Sequence, residues 1–146
     1  MKRERLGALL ADIRALHEQA LAELSDLTEA EFDCPTSLER WDDIRRVLLR
    51  FGDHVREHAT QVEAARAAIG RVPTTPQRML AEAEIAWGKL LASTVGLVDD
   101  DITLPHPDGG WSVMEVLEHV LRSERRYLQA IRQARTDRAP TGSDHA

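Results

Sequence analysis

Residues 111–135 read WSVMEVLEHVLRSERRYLQAIRQAR. Val113, Val116/Leu117, Val120, Tyr127/Leu128 and Ile131 recur at the 3-and-4 spacing that lines one face of an α-helix. Glu124 takes a place on that stripe where an apolar residue is expected. Ser112 and Glu115 form a Ser-x-x-Glu capping box, in which each side chain pairs with the other residue's backbone N–H. The helix therefore begins just after Asp108-Gly109-Gly110-Trp111.

The same kind of pattern precedes it three times. A first helix spans about Lys2 to Leu24, with Leu6, Leu9, Leu10, Ile13, Leu16, Leu21 and Leu24 on one stripe. A second spans about Trp41 to Ile69, with Ile44, Val47/Leu48, Phe51, Val55, His58, Val62, Ala65 and Ile69 in line. Gly70 and Val72-Pro73 stop it. A third opens at Thr74-Thr75-Pro76-Gln77 and runs through Leu80, Trp87 and Leu91 to about Val95, before Gly96. The links 26–40 and 99–110 are long and the link between the second and third helices is short, which favours antiparallel neighbours there. Residues 136–146 have no periodicity and are expected to be a disordered tail.

Composition agrees. Of 146 residues, 42% are hydrophobic, 30% charged and only 4% aromatic, a helix-forming and globular balance. The expected class is all-α, a four-helix bundle over residues 1–135. No stretch approaches the roughly 20 apolar residues of a membrane helix, and no apolar leader follows Met1-Lys2-Arg3, so a cytoplasmic chain with no membrane partner is expected. The net charge of −6 argues against nucleic acid as a partner. The single cysteine, Cys34, excludes an internal disulfide and any cysteine-based zinc site.

The chain also repeats. Leu10 and Leu80, Leu21 and Leu91, Leu27 and Leu97, Pro35 and Pro105, and Trp41 and Trp111 are each 70 residues apart. Beyond the tryptophans an offset of 69 fits better, pairing Val47 with Val116, Leu48 with Leu117, Ala65 with Ala134 and Arg66 with Arg135. Two helix hairpins related by a pseudo-twofold axis would produce this pattern. Trp41 and Trp111 then open two helices at equivalent places, as apolar plugs or, alternatively, as cofactor-stacking rings.

Histidine carries the chemistry. His54 and His58, at i and i+4, share one face of the second helix; His58 is on its apolar stripe and His54 at the edge. A buried imidazole needs a partner, and a divalent metal is one. His119, beside Val116 and Val120, is the third candidate ligand. Three imidazoles leave a metal position open for water or substrate. Zn²⁺, Ni²⁺ and Fe²⁺ all suit such a donor set. Glu124 is the candidate catalytic acid/base or orienting group, the alternative being an exposed glutamate near Arg125 and Arg126. His17 reads as structural, His106 and His145 as solvated, and Trp87 as core. Asp53 and Glu57 read as solvated or paired with neighbouring arginines, and the arginines of the fourth helix as a solvated face or an anion-binding one.

Two segments resemble a known family. Gly110-Trp111-Ser-Val-Met-Glu-Val-Leu-Glu-His119-Val resembles the tryptophan-led helix of the DinB-like superfamily, which includes the YfiT-like metal-dependent hydrolases. Asp53-His54-Val-Arg-Glu-His58-Ala-Thr-Gln61-Val, continuing to Arg66, resembles that family's His-x-x-x-His helix with its trailing Gln and Arg. The likeness spans about residues 5 to 135, with the two segments in the reverse of the family's usual order. It implies a four-helix bundle, a divalent metal held by His119, His54 and His58, frequent homodimers, and in some members thiol-dependent transfer or isomerisation with low-molecular-weight thiols. The resulting expectation is a metal-dependent thiol transferase or hydrolase acting on a small molecule. The alternatives are a non-catalytic helical-bundle dimer and a small-ligand-binding protein without metal.

Overall fold

The computed structural model describes residues 3–138. The described residues are all-α, with helices α1 (Glu4–Leu24), α2 (Ile44–Ala68), α3 (Thr75–Ala92), α4 (Asp99–Ile102) and α5 (Val113–Arg138), and a 3₁₀ turn over Glu29–Glu31. Four of the helices are long, and this order is compatible with a helical bundle. The chain divides into two units, one reaching to Gly96 and one starting at Leu97.

Local chemistry sets most helix ends. Asp43 caps α2 by accepting from the Arg46 N–H at 2.7 Å. At its other end the Gly70 N–H donates to the Ala67 carbonyl and the Arg71 N–H to the Arg66 carbonyl. This is a Schellman closure, and it needs the positive φ of 69° that Gly70 adopts. Arg66 then donates to the Arg71 carbonyl and to Gln77 Oε1, fastening the end of α2 to the start of α3. Thr74 and Gln77 form a capping box at α3, with Pro76 in the first turn. Ser112 and Glu115 form the expected box at α5: the Ser112 N–H donates to Glu115 Oε2 at 2.7 Å and the Glu115 N–H to Ser112 Oγ at 3.2 Å.

The structure departs from the sequence expectations at several places. Trp41 does not open α2; Asp43 is the better cap, so the helix starts at Ile44 and Trp41 stays in the preceding loop. That loop folds back on itself. Pro35 bridges to Asp43, the Thr36 N–H donates to the Asp42 carbonyl, and the Thr36 hydroxyl donates to the Trp41 carbonyl. α3 ends at Ala92, before Val95, where the Ser93 and Thr94 hydroxyls donate to the Leu90 and Leu91 carbonyls. The link 99–110 contains α4, which lies against α5. α5 continues to Arg138, carried past residue 135 by Gln133 donating to Asp137 and by Thr136 donating to the Arg132 carbonyl. The remainder of the expected tail, 139–146, lies outside the described residues.

Burial differs most. Among the described residues Ser112 alone is buried, and the apolar stripes of the long helices are open in the single chain. Trp87, expected in the core, is 46% exposed. An amphipathic stripe is buried only when another surface covers it, and helical periodicity does not say which surface that is.

Candidate functional site

His54 and His58 face one another one turn apart on α2. Their Nε2 atoms are 2.9 Å apart and their rings meet edge to face at a centroid distance of 4.3 Å. His58 Nδ1 is 2.7 Å from Gln61 Oε1. A carbonyl oxygen only accepts, so the His58 proton sits on Nδ1 and its Nε2 presents a lone pair. In the metal-free pair His54 Nε2–H donates to that lone pair, giving a directional chain from His54 through His58 to Gln61.

Two imidazoles at this separation are donors of the kind a divalent ion takes once the proton between them has left. Imidazole nitrogens lie about 2.0–2.1 Å from zinc, so two on one ion stand about 2.8–3.4 Å apart for angles between a right angle and tetrahedral. The observed 2.9 Å is close to the lower end of that range. Gln61 holds the His58 tautomer in the way that outer hydrogen bonds orient metal-ligating histidines. Both imidazoles are exposed rather than buried on the stripe, so either ring can be reached from solvent.

Charges flank the pair. Arg50 donates to Glu57 at 3.0 Å, and that hydrogen bond, followed by the guanidinium charge, holds the Glu57 carboxyl below its ordinary value. His58 and His54 add smaller effects in the same direction. Asp53 is paired with Arg56 at 2.6 Å. Both acids pair with arginines, but neither at the expected i,i+4 spacing: Asp53 pairs at i,i+3 and Glu57 reaches back seven residues to Arg50. Arg50 also lies 5.4 Å above the Trp41 ring, and Arg40 5.5 Å above it. A cleft of about 380 Å³ opens beside these groups.

The second unit carries the other two candidates. His119 is exposed on α5 and packs against Trp111, with ring centroids 4.8 Å apart and tilted by 57°. Glu124 is exposed and has no hydrogen bond to another described residue, so it is not the buried carboxyl that its stripe position suggested. Among the described residues no three His, Cys, Asp or Glu side chains are gathered as a metal group. His17, His106 and Cys34 are exposed, and His106 Nδ1 accepts from the Asp108 N–H.

Two contacts were missed by sequence reasoning. Gln61 stands three residues after His58, a spacing that places side chains together on a helix and could have been read as a hydrogen bond. The Arg50–Glu57 pair spans two helical turns and carries no such local signal.

Residues 82–146 are similar to the family model described as the DinB superfamily. The match takes in the second part of α3, α4, α5 and the Trp111-to-His119 segment. No curated protein and no solved structure matches the chain.

Proposed function

We propose that this DinB-like chain holds a divalent metal, Zn²⁺, Ni²⁺ or Fe²⁺, through His54, His58 and His119, and acts as a metal-dependent thiol transferase or hydrolase on a small molecule. The observation that carries this reading is the 2.9 Å approach of His54 and His58 Nε2 with Gln61 fixing the His58 tautomer. A bound ion of this kind lowers the pKa of a coordinated water or thiol so that an anionic nucleophile exists near neutral pH. The protein's own part is orientation. Gln61 keeps the His58 Nδ1 proton in place, so that the Nε2 lone pair, which accepts from His54 in the present pair, is the one a metal would take. Arg50 keeps the Glu57 carboxylate engaged, away from competing for the same imidazoles. In this reading His119 is the third ligand, and Glu124 is the acid/base group near the substrate. The low-molecular-weight thiol is a second small-molecule partner, and the cytoplasm, where thiols stay reduced, is the expected compartment.

Elemental analysis of untagged protein, beside a His54→Ala/His58→Ala variant and a His119→Ala variant, tests it. Near-stoichiometric metal that is lost in the double variant and weakened in His119→Ala is the expected result. Metal retained equally by His119→Ala would remove that residue from the site.

A second reading is a non-catalytic helical-bundle homodimer, in which the histidines satisfy one another. The exposed apolar stripes of α1, α2, α3 and α5 favour it, since a second copy is one surface that would cover them. It predicts a dimer in sedimentation whose melting temperature does not respond to a chelator.

A further inference from the structure

We infer that the cleft at the entrance of α2 is a binding site for a small ligand bearing one oxyanion, a carboxylate or a phosphate, with Arg40 and Arg50 as its cationic contacts and Trp41 as its wall. The site is separate from the histidine pair and does not depend on a metal being bound.

The argument begins with position. The loop that carries Trp41 is tied at Pro35–Asp43 and at Thr36, whose N–H donates to the Asp42 carbonyl at 2.9 Å and whose hydroxyl donates to the Trp41 carbonyl at 2.5 Å. Trp41 is half-buried, and both guanidiniums stand within 5.5 Å of its ring. Side chains held in this way lose little freedom when a ligand arrives.

Charge bookkeeping then singles out one cation. Arg46 is engaged by Asp42 and Asp43. Asp53 is engaged by Arg56 and Glu57 by Arg50. Among the described residues Arg40 is in no ion pair; its contact is the Trp41 ring. Of the residues that line the cleft, the two acids, Asp53 and Glu57, are each held by an arginine, and Arg40 is the lining cation without an ion pair among the described residues, which suits a single anionic group. A planar guanidinium presents paired N–H donors that match the oxygens of a carboxylate or phosphate. Arg50 is the more covered partner, its side chain 29% exposed, and it adds a second guanidinium on the same indole. The cleft volume of about 380 Å³ is within the range of small-molecule sites.

Trp41 reports on its own site. In a Trp87→Phe/Trp111→Phe background its fluorescence is titrated at low ionic strength with inorganic phosphate in one arm and benzoate in the other. Saturable change with either probe is expected, and the tighter arm identifies the oxyanion. Arg40→Ala should weaken binding at least about tenfold, as loss of a charge-assisted contact does. Arg46→Ala should change it little, and Glu57→Gln should tighten it by releasing Arg50. Calorimetry on the unaltered chain repeats both titrations independently of the tryptophan replacements. Non-saturable change in both arms with no heat, or an Arg40→Ala variant that binds as the parent does, would overturn the inference.

Discussion

Trp41 and Trp111 precede α2 and α5, and each ring is met by a side chain further along its helix. In the first unit that side chain is Arg50, 5.4 Å away; in the second it is His119, 4.8 Å away. Arg50 and His119 are 69 residues apart, which is the repeat offset. The surrounding charges are reversed: Asp53 and Glu57 in the first unit correspond to Arg122 and Arg126 in the second. The architecture therefore supplies one slot above a tryptophan, and each half fills it with different chemistry. The first slot sits beside the His54–His58 pair and an anion-accepting cleft. The second holds an imidazole whose place is accounted for by ring packing alone, whether or not it also binds metal.

The most severe test exchanges the slots. His119→Arg should keep a cation on Trp111 and leave helix content by circular dichroism unchanged. Under the three-histidine reading it should weaken metal binding by at least about tenfold in calorimetry, since a ligand is lost. Unchanged affinity would reduce His119 to a packing residue and leave a two-histidine site. His58→Ala should abolish binding under either outcome.

Helix ends come next. Gly70→Ala places a Cβ at positive φ with open space around it, so the cost is backbone strain alone, about 1–2 kcal/mol in urea unfolding. Asp43→Ala and Ser112→Ala remove the caps of the two equivalent helices, at about 0.5–2 kcal/mol each. A much larger loss at Ser112 than at Asp43 would mean that the buried Ser112 packs as well as caps.

A pH comparison separates the two true capping boxes on long helices. Glu115 is held below its ordinary value by the Ser112 N–H and then by the Ser112 hydroxyl. A carboxyl depressed in the folded state stabilises above its unfolded pKa, and that contribution is lost as pH falls through the folded value. The start of α5 should therefore loosen in acid, below the usual carboxylate range, while the start of α3, capped by neutral Gln77, should not. Hydrogen exchange at the two helix starts measures this, and Glu115→Gln should remove the difference. The smallest effect belongs to Arg14–Glu84, an ion pair between α1 and α3 whose side chains are 65% and 64% exposed. Arg14→Ala should cost about 0.2–1 kcal/mol, less at high salt.

The offset change in the repeat is also explained at these helix starts. Trp111 is followed directly by Ser112, whereas two residues, Asp42 and Asp43, lead from Trp41 into α2, with Asp43 as the cap. The one-residue difference moves the repeat from 70 to 69. The sequence contained that shift, but its meaning depended on which aspartate caps α2, and the run Trp41-Asp42-Asp43 does not distinguish them.

The helices, their boxes at Thr74 and Ser112, the glycine stop at Gly70 and the i,i+4 histidine pair follow from the chain itself, because each depends on residues within about one helical turn. The folded-back loop before α2 and the partners of Trp41, Arg50 and Glu57 were decided only by the tertiary structure. Those contacts join residues separated by more than a turn, or choose among several equivalent side chains. Local spacing carries no information about either choice; only the folded path of the backbone does.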